Sequence, residues 1–273
     1  MIRTDRPRPH HFGMIRRLFA FVLVGVVASA GLVASSPHRG TAGTAGQPAA
    51  LDVLFIGNSL IGTRTATGED TPDVVCRLAR ATGRTVRGTK VIRYGHTLQR
   101  TWDEGPARAA LSGSTRYDYI LLQEYSTLVA TAPARATATL LRTYAPALSR
   151  SLKPGGRIVL FKNWALADPA PFASRAQNVA AINAGYDSLA AALPLPAVVA
   201  PISDEFEAVL ARGGSGSLID PDGKHPTGRA VYLDAITLYG IFFGRSPRDL
   251  PDLYLPPAEA ARLRGAAAAA LGF

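Results

Sequence analysis

Short apolar runs alternate along this chain with stretches of helical periodicity, and few architectures accept that order. Leu51-Asp-Val-Leu-Phe-Ile56 is almost continuously apolar and ends at Gly57. A strand buried on both faces reads this way, whereas a half-exposed strand alternates with polar residues. Further runs follow at Thr85–Tyr94 (a weaker pattern), Tyr117–Leu122, Arg157–Phe161 and Ala197–Ala200. Helical patterns fill the intervals. One is opened by Thr71-Pro72 and closed by Gly83; others span Leu98–Leu111, 133–152 (stopped by Lys153-Pro-Gly-Gly156), Phe172–Leu193 and Asp204–Arg212. Helices at 227–243 and 257–271 finish the chain, the last packing on its own domain or on a partner. No internal repeat is present. Strands joined through helices imply right-handed crossovers, hence a flavodoxin-like, three-layer α/β/α sandwich around a mostly parallel sheet.

In such a sheet ligands meet the protein outside the carboxyl ends of the strands. The residues expected there are Gly57-Asn58-Ser59, Gly95-His96, Gln123-Glu124 and Asn163-Trp164, with Asp222-Gly-Lys-His225 following a glycine-rich loop. A serine nucleophile needs a sharp turn, a histidine to take its proton and a group to orient that histidine. Gly57-Asn58-Ser59-Leu60 supplies a turn through backbone angles open to glycine, although a serine after glycine also serves as a plain helix cap. Five histidines occur, and His10, His11 and His38 precede the domain, which leaves His96 and His225. His225 has a carboxylate three positions earlier, Asp222, with Gly223 between them for the turn and Pro226 suited to the first turn of a helix. The alternative there is a solvated Asp-Gly turn with a capping histidine.

Composition bears on location and partners. The net charge of +10 is split evenly: residues 1–50 carry six arginines against one acid, and the rest carries 24 basic and 19 acidic groups. The domain's arginines are scattered, without a stripe interleaved by aromatics, so nucleic acid is not an expected partner. Arg16-Arg17, the apolar run Leu18–Ala30 and Ala28-Ser-Ala30 form a basic, apolar and cleavage-site sequence, read as a signal peptide over residues 1–35 or a retained anchor. Residues 36–50 read as a flexible linker and 51–273 as the domain, working outside the cytoplasm as a secreted or anchored protein; membrane contact is expected only through a retained leader. Cys76, the single cysteine, excludes an intramolecular disulfide and reads as a small buried hydrophobe.

Three segments resemble a known family. Phe55-Ile-Gly-Asn-Ser-Leu60 is similar to block I of the SGNH (GDSL-like) hydrolases, Tyr94-Gly-His-Thr-Leu98 to block II, and Asp222-Gly-Lys-His-Pro-Thr227 to the Asp-x-x-His block V. The resemblance runs over roughly residues 51–245. It departs at block III, where the family's Gly-x-Asn is replaced by Leu121-Leu-Gln-Glu-Tyr-Ser126. The resemblance implies an SGNH-hydrolase fold and a serine esterase using Ser59, His225 and Asp222 through an acyl-enzyme. It implies an oxyanion hole from the N–H groups of Ser59 and Gly95 and, in place of the asparagine, the Gln123 amide. Small or carbohydrate esters, O-acetyl sugars among them, are the expected substrates.

A substrate pocket is expected from Asn58, His96, Glu124, Asn163 and Trp164. His96 either touches substrate or bonds a carbonyl; Glu124 is a second carboxylate at the mouth or a surface charge. Asn163 and Trp164 line an acyl or sugar pocket or are structural. No metal or cofactor is expected: Asp220-Pro-Asp222-Gly223 lacks the remaining ligands of a calcium loop, and Gly57–Gly62 lacks the Gly-Lys-Ser/Thr of a phosphate loop. Two other functions suit the same residues: a carbohydrate-binding protein with a degenerate centre, favoured by the altered block III, and acyl transfer to a sugar hydroxyl.

Overall fold

A computed structural model describes residues 50–213 and 217–273. The expected leader and most of the linker lie outside the described residues. In chain order the elements are β1 (Ala50–Gly57), α1 (Ser59–Gly62), α2 (Thr71–Ala81), β2 (Thr85–Ile92), α3 (Leu98–Asp103) and α4 (Pro106–Ser112). Then come β3 (Tyr117–Leu122), α5 (Leu128–Thr131), α6 (Pro133–Ala138), a π-helical turn (Thr139–Tyr144) and α7 (Ala145–Ser151). The chain ends with β4 (Leu152–Phe161), α8 (Arg175–Ala192), β5 (Ala197–Ala200), α9 (Ile202–Ala211), α10 (Gly228–Phe243) and α11 (Pro257–Ala270).

All five strands are parallel, in the order β2-β1-β3-β4-β5. The order reverses direction between β1 and β3, so the crevice for a ligand opens beyond the carboxyl end of β1, the strand that delivers Ser59. The near-continuous apolar runs have the expected physical meaning. Val53 and Phe55 of β1 enter a core with α2, α9, α10 and α11, while Leu54 and Ile56 enter a second core with α4, α7 and α8 on the other face. Full burial of each such side chain stabilises the fold by about 1.5–3 kcal/mol.

Several expected boundaries shift for identifiable reasons. The helix expected over Leu98–Leu111 is two, because Gly105 takes the left-handed conformation (φ 104°) and Pro106 starts α4. The helix expected over 133–152 contains the π turn, which ends where Pro146, lacking an N–H, enters α7. The helix ends at Ser151, next to the Lys153–Gly156 segment expected to stop it, and that segment lies within β4. It forms a bulge there, and the pairing of β4 jumps from Tyr117–Leu152 to Tyr119–Arg157. The helix expected from Phe172 begins at Arg175, where Ser174 caps the Gln177 N–H. Cys76 is half-buried on α2 and its thiol donates to the Val86 carbonyl at 3.5 Å.

Candidate active site

Ser59 opens α1 and is nearly buried, at 6 % exposure. Asn58 caps that short helix: its Oδ1 accepts the Leu60 N–H at 3.1 Å, and its carbonyl accepts from Ile61 and Gly62. Gly57 is needed for room, not for its angles, which corrects the sequence-based reasoning. It is not among the positive-φ glycines. A Cβ there would lie 2.8 Å from Gln123 Oε1 and 2.7 Å from Ile61 Cδ1.

The loop before α10 is a narrow hairpin. Ile219 and Pro226 form an antiparallel bridge, Asp220 N–H donates to the His225 carbonyl at 2.8 Å, and Gly223 turns the chain at φ 77°. Inside it Asp222 Oδ1 accepts the N–H groups of Lys224 (2.8 Å) and His225 (2.9 Å), which leaves Oδ2 for the imidazole. His225 Nδ1 lies 2.5 Å from Asp222 Oδ2, and His225 Nε2 lies 2.9 Å from Ser59 Oγ. The hydrogen bond from His225, then the two backbone N–H donors, hold the Asp222 carboxyl down at about 2, so it stays ionised. An ionised Asp222 requires the proton on Nδ1, which leaves the Nε2 lone pair facing the Ser59 hydroxyl.

Asn58 and His96 lie beside this line. Asn58 Nδ2 donates to the His96 carbonyl at 3.0 Å, and Arg93 N–H donates to the Gly57 carbonyl at 2.9 Å, so the loop after β2 is tied to the turn that carries Ser59. The His96 ring lies 3.5 Å from Glu104 instead of bonding a carbonyl. Gly95, between these ties, has φ 72° and open space where a Cβ would stand. The N–H groups of Ser59 and Gly95 donate to no protein acceptor among the described residues.

The other expected site residues lie beneath the site. Gln123 is 1 % exposed; its Oε1 accepts the Asn58 N–H at 2.8 Å, and its Nε2 donates to the Glu124 carbonyl and to Asn163 Oδ1 (3.3 Å). Both of its N–H groups are committed, so none remains for an oxyanion. Glu124 is neither at the mouth nor a surface charge. It is 5 % exposed, its Oε1 accepts the N–H groups of Leu98 and Tyr125, and burial pushes its carboxyl up. Asn163 is buried, with Nδ2 donating to the Glu124 carbonyl at 2.9 Å. Trp164 is buried against Phe206 (ring centroids 4.4 Å apart, 6° between planes) and its indole N–H donates to the Lys224 carbonyl at 3.2 Å. It braces the hairpin that carries His225 and does not line a pocket.

Sequence reasoning missed Tyr125 and Lys224, whose ammonium lies 4.8 Å from the Tyr125 ring centre. No periodic signal marks that pair; the position of Tyr125 three residues past β3 was the available cue. Among the described residues no group of three or more His, Cys, Asp or Glu side chains is arranged to hold a metal, and no helix is long and apolar enough to cross a membrane.

Fold and hydrogen-bonded line together are those of a serine-hydrolase type of protein. No family model and no curated protein matches the chain. Solved structures do. A DUF4886 family protein from Bacteroides uniformis is 17 % identical at a TM-score of 0.67, covering 82 % of this chain and 95 % of its own. A putative SGNH hydrolase from Slackia heliotrinireducens is 26 % identical at 0.52, covering 70 % and 97 %. An acetylxylan esterase from Geobacillus stearothermophilus, solved as a catalytic mutant, is 14 % identical at 0.51, covering 72 % and 95 %. The chain shares the fold of these proteins, a putative SGNH hydrolase among them.

Proposed function

We propose that this protein is an exported esterase that cleaves a small or carbohydrate-borne ester through Ser59, His225 and Asp222. The observation that carries the reading is the unbroken hydrogen-bonded line from Ser59 Oγ through His225 to Asp222, at 2.9 and 2.5 Å. His225 Nε2 removes the hydroxyl proton as Ser59 Oγ attacks the ester carbonyl, and Asp222 stabilises the imidazolium that forms. The carbonyl oxygen, now negative, is met by the N–H groups of Ser59 and Gly95. One such donor contributes about 2.7–4 kcal/mol of transition-state stabilisation. His225 then gives its proton to the departing alkoxide, and a water, deprotonated by the same nitrogen, releases the acyl group from Ser59.

O-acetyl groups on carbohydrate are the first substrates to try, since a protein with that substrate shares this fold. Export is supported by Arg16-Arg17, the apolar run after it and Ala28-Ser-Ala30. The test is a fluorophosphonate probe, which reacts only with an activated serine. The label is expected on the peptide that contains Ser59 and is expected to vanish in Ser59→Ala and His225→Ala. Labelling that survives Ser59→Ala would refute the assignment.

A further inference from the structure

We infer that Glu124 is a positioning residue for the oxyanion site: together with Gln123 it clamps the two loops whose backbone N–H groups receive the negative charge. The inference rests on the esterase reading above and explains what the chain gains from Leu-Gln-Glu at the end of β3. Gln123 holds the first loop, through the Asn58 N–H at 2.8 Å, one residue before Ser59. Glu124 holds the second. Its Oε1 accepts the N–H of Leu98, the first residue of α3 and three past Gly95, at 3.0 Å, and the N–H of Tyr125 at 2.7 Å.

The start of α3 is pinned from the opposite side as well. Its Leu98 carbonyl accepts the Tyr144 phenol at 2.8 Å, and Gln99 Oε1 accepts the hydroxyls of Thr139 (3.3 Å) and Thr143 (3.2 Å). All three donors belong to the π turn Thr139–Tyr144. π turns recur at functional sites, where the extra residue re-aims the side chains around it. The circuit closes through Asn58 Nδ2 to the His96 carbonyl, and Asn163 Nδ2 fixes the Glu124 backbone from below. The Gly95–Thr97 segment, with open space where a Gly95 Cβ would stand, is therefore held at His96 and at its exit into α3. Glu124 is the anchor at the end that enters α3.

An oxyanion donor works only if it is in place before the charge forms. Glu124→Ala leaves the Leu98 and Tyr125 N–H groups without their acceptor, freeing one end of the Gly95 loop. Glu124→Gln keeps an oxygen acceptor on the same arm. The experiment compares the intact protein with Glu124→Ala, Glu124→Gln and Tyr144→Phe on p-nitrophenyl acetate, with folding followed by circular dichroism. Glu124→Ala is expected to lower kcat about 100-fold, the scale set by a misplacement near 1 Å, with KM little changed. Affinity for a boronic acid that forms a tetrahedral adduct on Ser59 should fall in parallel. Glu124→Gln should recover most of the loss. Tyr144→Phe, which removes only the donor to the Leu98 carbonyl, should show a smaller loss of the same kind and covers the case in which Glu124→Ala does not fold. Native-state hydrogen exchange at residues 95–98 should quicken in Glu124→Ala while the core is unchanged.

A folded Glu124→Ala with the parent's kcat, or equal losses in Glu124→Ala and Glu124→Gln, would overturn the inference. A parent that neither hydrolyses the ester nor reacts with the fluorophosphonate would sink the esterase reading instead. The exchange measurement then decides alone whether Glu124 holds the loop.

Discussion

Gly57→Ala adds one methyl group at a confined point beneath Ser59, and its cost follows from three distances. The new carbon would lie 2.7 Å from Ile61 Cδ1, 2.8 Å from Gln123 Oε1 and 3.0 Å from Gln123 Cβ. Apolar carbons prefer about 3.5–4.0 Å, so each contact is too close by roughly half an ångström or more. Ile61 ends in a rotatable methyl and can turn aside. Gln123 cannot, because Oε1 holds Asn58 and Nε2 holds Glu124 and Asn163. Relief requires breaking the Asn58–Gln123 bond, which strands a buried N–H at about 1–3 kcal/mol, on top of an overpacking cost of about 1–3 kcal/mol. Allowing for partial relaxation, we expect about 2–4 kcal/mol, or a fall in Tm of roughly 5–15 °C for a domain of this size. Differential scanning calorimetry measures it. Gly95→Ala is the control: nothing stands within 4 Å of its Cβ, and only φ 72° opposes it, so about 1–2 kcal/mol is expected. A Gly57→Ala protein as stable as the parent would refute the claim that Gln123 is locked under the turn that carries Ser59.

Other perturbations separate bracing from chemistry. Trp164→Phe should keep the stack on Phe206 but strip the Lys224 carbonyl of its donor, costing about 1 kcal/mol by thermal denaturation and lowering kcat more than it changes KM. A kcat unchanged by that substitution would remove Trp164 from the support of the His225 hairpin. The Arg87 guanidinium, joined by Lys153, holds Asp52 down at about 2. Its stabilising contribution is complete above the unfolded value near 3.9 and disappears as pH falls through about 2, so Asp52→Asn should flatten acid unfolding in that window by about 1 kcal/mol after solvent screening. Glu205 behaves in the opposite sense. Burial raises its carboxyl well above the ordinary range while it accepts the Thr237 hydroxyl, so stability is greatest below its unfolded pKa and erodes as pH rises towards the folded value; Glu205→Gln should weaken that slope in urea titrations run across pH.

The centre of the sheet was legible because β1 and β3 are buried on both faces. Leu51–Ile56 and Tyr117–Leu122 leave almost no polar position, and Val53 and Leu54 fall into separate cores. Asp222-Gly-Lys-His225 was legible because one short hairpin contains both the carboxylate and the imbidazole-bearing residue, with Gly223 in the left-handed conformation that the turn demands. What escaped was decided by tertiary contacts. A polar residue following a strand reads as exposed, yet Gln123 and Glu124 fold back beneath the site, where backbone N–H groups from other segments meet them. The short helices α1 and α5 have four residues each, too few for a periodic signal. Gly105-Pro106 carried its own break signal, outweighed by the apolar spacing on either side. The π turn depends on how Pro146 is accommodated within a helix, which local pattern does not reveal.

Activation of Ser59 by His225 is tested most directly by steady-state hydrolysis of p-nitrophenyl acetate by the parent, Ser59→Ala and His225→Ala, each shown to be folded. Hydrolysis by the parent is expected, with both substitutions lowering kcat by several orders of magnitude and to a similar level, because serine and histidine act as one unit. Hydrolysis that persists in Ser59→Ala at the parent's rate would contradict activation of Ser59.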